Sequence, residues 1–373
     1  EVSSSTSRLS NVLPNTRLKL WLWLGLSLLL LAACIVIEFK TSIVQAWIFT
    51  RTNERLSFEL APGAASSIAF PAPAPFDDRR GYSKLADFQS RLLSQGFQVS
   101  QQARQSETMV NLISQGISPP YIEPPETGID IRGAAGVPLF RHAQSEFLFE
   151  KIENIPPVLV KTLLFLEDRD LDSPDFSRQN PAVEWDRFFK AALLYLGSKL
   201  YLDVPVQGGS TLAVQLEKFR HSAHGRTDSP LDKFRQIVGA SLKAYRAGPN
   251  TRAWRDRIIV DYFNTVPLAA APGYGEIHGL GEGLYAWFGL QLADAVRALQ
   301  TPGITIPKVH VYKHILTLLI SVRAPSVFLV EERGSLEHKV NQFTQLLARE
   351  GIIDDDFAAA VEETPIQFLA HGP

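Results

Sequence analysis

Gln207-Gly208-Gly209-Ser210-Thr211-Leu212-Ala213-Val214-Gln215-Leu216-Glu217-Lys218 joins a glycine pair to a helix with two unlike faces. At about 100° per residue, Thr211, Gln215 and Lys218 share one stripe, while Leu212, Leu216 and Phe219 share another. Ser210 or Thr211 can cap the helix start. The exposed amides of its first turn, with an inward Lys218, would suit an anionic ligand such as a phosphate. Alone, a capped amphipathic helix after a Gly-Gly loop is ordinary structure, so the neighbouring segments must decide.

Upstream, Ile155-Pro156-Pro157 opens an apolar helix that ends abruptly in Glu167-Asp168-Arg169-Asp170-Leu171. Prolines suit a first turn, but carboxylates at a C-terminus oppose the helix dipole, and that local cost hints at a task. Downstream, Leu231-Asp232-Lys233-Phe234-Arg235-Gln236 opens a basic amphipathic helix. Ile258-Ile259-Val260-Asp261-Tyr262-Phe263-Asn264 leads into a glycine-rich run from Gly273 to Gly289, and Val322-Arg323-Ala324-Pro325-Ser326 closes a long helix.

In this order the segments resemble the peptidoglycan glycosyltransferase (transglycosylase) family, the lipid II polymerising module of bifunctional penicillin-binding proteins and monofunctional transglycosylases. The family's Glu-Asp-x-x-Phe, Gly-Gly-Ser-Thr-x-x-x-Gln-x-x-Lys, Arg-Lys-x-x-Glu, Ile-Leu-Glu-x-Tyr-Leu-Asn and Ala-Pro-Ser motifs find counterparts across residues 121–373. Glu167 and Asp168 match the first, with Leu171 at the phenylalanine. Ser210, Thr211, Gln215 and Lys218 match the second, with Val214 at a glutamine. In the third, Lys233 is kept, but Asp232 stands at the arginine and Gln236 at the second catalytic glutamate. In the fourth, Val260 replaces the glutamate while Tyr262 and Asn264 are kept.

The resemblance implies a mainly α, lysozyme-like domain that polymerises lipid II into glycan strands and releases polyprenyl diphosphate. Such chemistry needs a base for the acceptor hydroxyl and positive charge for the departing diphosphate. Glu167 is the expected base, with Lys218 and Lys233 as the catalytic cations. Asp168, Ser210, Thr211, Gln215, Arg235, Gln236 and Asn264 are expected around the substrate; Asp168 would also orient its segment or pair with an arginine. Gln236 can hydrogen-bond but cannot act as a base. In a living enzyme Glu217, Glu276 or Glu282 would have to stand in for the lost carboxylate. The rival reading is a degenerate scaffold that holds lipid II or glycan without turnover. A lysozyme-like hydrolase is weaker, having no need of the Ser-Thr-Gln-Lys helix.

The composition, 45% apolar over 373 residues with a net charge of -2, suits a folded chain and argues against a general nucleic-acid binder. Leu20–Ile37 is an uninterrupted apolar run of nearly membrane-crossing length, preceded by Arg8, Arg17 and Lys19. The basic flank places residues 1–19 in the bacterial cytoplasm and the main domain in the periplasm or outside. Leu31-Ala32-Ala33-Cys34 resembles a lipoprotein processing box, yet the apolar run continues past the cysteine, so an uncleaved anchor is expected. Glu1 is not a methionine and Pro373 falls where the resemblance ends, so the chain is expected to be part of something longer.

Residues 38–120 read as linker plus a small αβ subdomain, with a helix over Tyr82–Ser94 and a strand over 96–100, a spacer or partner-docking module. Helices are expected at 156–168, 181–199, 211–221, 230–247, 251–264, 292–300, 309–321, 335–350 and 354–363. Ala182–Leu202 is either a buried helix or the patch by which such domains dip into the bilayer. The glycine-rich run is no dinucleotide fingerprint, since no strand-turn-helix unit is expected around it; it should serve close backbone packing. Asp168, Asp170 and Asp172 lack the glycine and glutamate of a calcium loop, and His310 and His314 lack a zinc-protease glutamate. No cofactor or metal is expected; a divalent cation is compatible but not indicated. No Ser-x-x-Lys occurs, so no penicillin-type nucleophile is present. The expected partners are lipid II, the nascent strand, the membrane and other cell-wall synthesis proteins.

Overall fold

The computed structural model describes residues 13–70, 73–80, 82–126, 129–133, 135–142, 145–185, 210–223 and 225–369. Gly208, Gly209 and most of Ala182–Leu202 lie outside them, as does the greater part of the helix expected at 181–199.

Helix α1 (Leu13–Thr41) carries the apolar run; its Lys19–Thr41 portion is long and apolar enough to cross a membrane, and none of its most apolar window is buried. Cys34 is exposed within this helix, which continues beyond it to Thr41. Ser42 then takes a left-handed conformation (φ 48°), and the Glu38 carboxylate accepts from the amides of Val44 (2.8 Å) and Gln45 (3.0 Å). Those bonds start α2 (Ile43–Asn53) by supplying acceptors that a helix start otherwise lacks.

Strand β1 (Phe58–Pro62), helix α3 (Leu85–Ser94), strand β2 (Gln101–Gln105) and helix α4 (Glu107–Ser114) form the expected αβ unit. The strands pair antiparallel, Phe58 opposite Gln105. The second strand begins later than expected, because residues 96–100 are spent leaving α3: Gly96 is left-handed (φ 84°) and the Phe97 amide bonds back to the Leu92 carbonyl. A second hairpin, β3 (Ile129–Arg132) and β4 (Pro138–His142), follows.

The remainder is mainly helical: α5 (Pro157–Glu167), α6 (Leu212–His221), α7 (Pro230–Ala244) and α8 (Arg252–Thr265), then the hairpin β5 (Pro267–Ala271) and β6 (Gly275–His278), then α9 (Gly279–Phe288), α10 (Leu292–Gln300), α11 (Ile306–Ser321), α12 (Arg333–Arg349) and α13 (Asp355–Glu363). One apolar core joins them, with Leu159 and Leu163 of α5, Leu212 of α6, Ile259 and Phe263 of α8, Leu280 and Leu284 of α9 and Leu316 and Leu318 of α11 all buried. Each such side chain contributes roughly 1.5–3 kcal/mol through removal from water.

The glycine-rich run departs from expectation in one respect: a strand, β6, does lead directly into a helix, α9. It belongs to an antiparallel hairpin, not to a parallel crossover unit. Its packing role holds. A Cβ on Gly281 would stand 2.1 Å from the Phe147 carbonyl oxygen, and one on Gly279 (φ 78°) 2.7 Å from that of Asn264. Backbone-to-backbone approach of that kind admits glycine alone.

Candidate active site

Helix α5 ends at Glu167, and α6 lies across that end. The Gln215 side-chain amide donates to Glu167 Oε2 (3.1 Å), joining the first and second motifs directly. Asp168, 2% exposed, accepts from the Leu212 amide (3.2 Å), so a carboxylate from one motif caps the helix of the next. It also lies close enough to the buried Arg255 to favour that guanidinium's charge. Thr211, not Ser210, is the residue that caps α6, its hydroxyl accepting from the Val214 amide (3.3 Å). The first turn of α6 is therefore no open anion site: Leu212 and Val214 already have acceptors, and positive charge must come from side chains.

Two lysines supply it. The Lys233 ammonium donates to the Ser210 hydroxyl, and burial together with nearby Lys218 pushes its pKa down to about 8. Burial lowers Lys218 as well, against the opposing pull of Glu167. Neither takes part in an ion pair within 4.0 Å among the described residues. Two half-buried neighbouring cations whose charged forms burial disfavours make a favourable seat for a polyanion.

Glu167 lines a cavity of about 340 Å³ with Leu166, Arg323, Phe328 and Lys339. Arg323 Nε lies 3.9 Å from Glu167 Oε1 with its side chain 65% exposed. Tyr262 is fully buried, its hydroxyl lacks a hydrogen bond among the described residues, and burial followed by the Glu167 charge raises its pKa well above the usual phenol value. Neither residue was expected at the site, although both stand in quoted motifs: Arg323 directly before Ala324-Pro325-Ser326, and Tyr262 at the kept tyrosine.

Three expected substrate contacts are engaged elsewhere. Both amide atoms of Asn264 hold the backbone of Phe149, at 2.9 Å and 2.8 Å, so this side chain fastens a loop to α8. Gln236 accepts from the Thr227 hydroxyl (3.0 Å) and donates to Ser222 (2.8 Å), closing the loop after α6. Arg235 pairs with Asp232 (3.2 Å) and packs beside Gly116, so its charge is already shared.

The proposed substitute carboxylates are likewise committed. Glu217 is buried on the far side of α6, bonded to Lys243 (2.6 Å) and to the Ser118 hydroxyl. Burial raises its pKa, but Lys243 and His221 outweigh that and hold it below the ordinary value. Glu282 pairs with Arg79 and accepts from the His278 amide (3.0 Å). Glu276 is largely exposed beside His278. Among the described residues no group of three or more His, Cys, Asp or Glu side chains could hold a metal ion.

None of the curated proteins compared with this chain matches it. A family model described as Transglycosylase, however, matches residues 137–341, which span Glu167, Gln215, Lys218, Lys233, Arg323 and more than half of the chain. That match supports glycosyltransferase activity in peptidoglycan synthesis. The chain belongs to the transglycosylase family.

Proposed function

We propose that this protein is a membrane-anchored peptidoglycan glycosyltransferase that polymerises lipid II into glycan strands and releases polyprenyl diphosphate. The observation that carries the reading is the convergence of Glu167, fixed by Gln215, with Lys218 and Lys233, two cations without carboxylate partners among the described residues. In this reading Glu167 takes the proton of the acceptor hydroxyl. The freed oxygen bonds to the anomeric carbon, and the bond from that carbon to the diphosphate oxygen breaks. Lys218 and Lys233 meet the charge that builds on the leaving group, where fixed cations count most. Ser210, Thr211 and Asp168 hold this frame, residues 20–37 anchor it, and residues 121–373 form the catalytic domain outside the cytoplasm.

One observation favours a second reading, a lipid II or glycan-binding scaffold of the cell-wall machinery. Gln236 stands where the family has its second catalytic glutamate, and Glu217, Glu276 and Glu282 are engaged elsewhere. Purified full-length protein given labelled lipid II separates the two. Polymer formation that is lost in Glu167→Gln supports the enzyme, and stoichiometric binding without polymer supports the scaffold.

A further inference from the structure

Helix α2 has one face bonded to the domain and one face that is exposed among the described residues. On the first, Ala46 is buried against Ala244 and Tyr245, Phe49 stacks on Tyr245 with centroids 6.1 Å apart, and the Asn53 amide donates to the Leu242 carbonyl (2.8 Å). Asn180 donates to Gln45 (3.0 Å) from the same side. On the second, Ile43, Val44, Trp47 and Ile48 are 59%, 53%, 68% and 45% exposed. Positions i, i+1, i+4 and i+5 form one stripe of a helix, so these four side chains make a continuous apolar strip.

The occupant of that strip follows from what adjoins it. The exposed apolar surface of α1 runs to Ile37, and the strip begins six residues later, directly after the bend at Ser42. A tryptophan lies at its middle, the residue that settles best at a membrane–water boundary. Lys40 precedes the strip and Arg55 follows it, placing positive charge where anionic headgroups would lie, while Arg51 shares its charge with Glu54 (3.4 Å). No acidic side chain falls within residues 43–53.

We infer that α2 is an interfacial helix whose Ile43-Val44-Trp47-Ile48 strip sits among the headgroups and upper acyl chains of an anionic bilayer; the inference rests on the reading of α1 as an anchor. Because α2 is fastened to the C-terminal end of α7, its seat also limits how far the cleft stands from the membrane. Lys233 lies about 16 Å along α7 from Ala244 at 1.5 Å per residue, within reach of the headgroup layer that holds the diphosphate of a lipid-linked donor.

Spin labels on the full chain in phosphatidylcholine–phosphatidylglycerol vesicles test this. One label goes on native Cys34; others go on Trp47→Cys, Ile48→Cys and Glu54→Cys in a Cys34→Ser background. Labels at 47 and 48 should be relaxed by oxygen and shielded from a water-soluble nickel chelate, between the deep label at Cys34 and the water-exposed one at 54. Chelate access at 47 and 48 equal to that at 54, with Cys34 still deep, overturns the interfacial helix and leaves the anchor and the enzyme reading intact. A water-exposed label at Cys34 overturns the anchor and the interfacial helix together.

Discussion

The two sides of α6 treat charge in opposite ways. Its rear side is a closed network in which Glu217 meets Lys243, His221 lies 3.1 Å from both Glu123 and Lys243, Arg80 bridges Glu123 (2.6 Å) and the Arg220 carbonyl (2.9 Å), and Arg220 pairs with Asp261 (3.2 Å). These groups are nearly all buried. Burial alone would raise the pKa of Glu123, yet His221, Lys243 and Arg80 hold it far below the carboxylate range. On the front side burial lowers the pKa of both Lys218 and Lys233, with Lys218 lowering Lys233 further and Glu167 opposing the fall at Lys218. Buried charge is tolerated when matched, so the rear holds the helix in place. The front, where neither lysine has an ion pair among the described residues, leaves an electrostatic demand that a diphosphate can meet.

The largest expected effect lies on the front. Glu167→Gln keeps shape and the contact with Gln215 but cannot take a proton, so polymerisation should fall by about 10²–10⁴-fold with lipid II affinity largely kept. Single-turnover assays beside equilibrium binding measure both quantities. Near-normal turnover would remove Glu167 from the chemistry and with it the contrast between the two sides.

On the rear, Glu217→Leu leaves Lys243 buried without its carboxylate and should cost about 3–5 kcal/mol of folding stability. Adding Lys243→Met should recover much of this, because the two substitutions act on one interaction. Denaturant midpoints of the single and double variants decide it. Additive losses would show that the network is not a unit.

The helix stripe was legible in the sequence because a 3.6-residue period shows in any amphipathic segment, and α6 begins and ends within a residue of expectation. The family resemblance assigned Gln215 and Glu167 to one substrate site, but the hydrogen bond between them (3.1 Å) was not among its expectations. The rear network was not legible. Arg80 comes from the segment read as spacer and Glu123 from the very start of the region that resembles the family, and nothing local at either residue announces partners on α6. Asp168 illustrates the same limit: the first-turn amides of α6 looked free for phosphate because their acceptor arrives from the end of another helix. Arg323 escaped notice for a different reason, since an exposed arginine carries no local signal until its 3.9 Å approach to Glu167 is seen.

Lys218→Ala should weaken binding of lipid II or inorganic pyrophosphate by about 1.5–3 kcal/mol, the range for a charge-assisted hydrogen bond. Titration calorimetry that returned equal affinities would make this lysine a solvated surface charge and erase the difference between front and rear.

A smaller effect separates the two lysines by pH. With its pKa near 8, Lys233 is already charged below that pH, and affinity there should not change with pH on its account. A bound anion raises its pKa, so above pH 8 binding must take up a proton. Affinity should then fall by up to about tenfold per pH unit until the bound-state pKa is reached. Pyrophosphate titrations in buffers of different ionisation enthalpy would count the protons, and Lys233→Arg should remove the uptake, since a guanidinium stays charged throughout. A flat profile in the wild-type protein would mean that Lys233 does not meet the anion.

The smallest expected effect concerns Gln236, which stands where the family has its second catalytic glutamate. Its neighbours Thr227 and Ser222 are hydroxyls, and each can donate to a carboxylate, so Gln236→Glu needs no repacking. The new charge would stand one helical turn from Lys233 and favour its ammonium form. With Glu217, Glu276 and Glu282 engaged away from the cleft, no other carboxylate among them already fills the missing role. Turnover of lipid II should therefore rise by a factor of a few, and the pH at which pyrophosphate affinity begins to fall should move upward. A lower rate would point to a substitute carboxylate already at work, because two neighbouring carboxylates repel and raise each other's pKa. An unchanged rate with a shifted pH profile would place residue 236 near the diphosphate and outside the proton transfer.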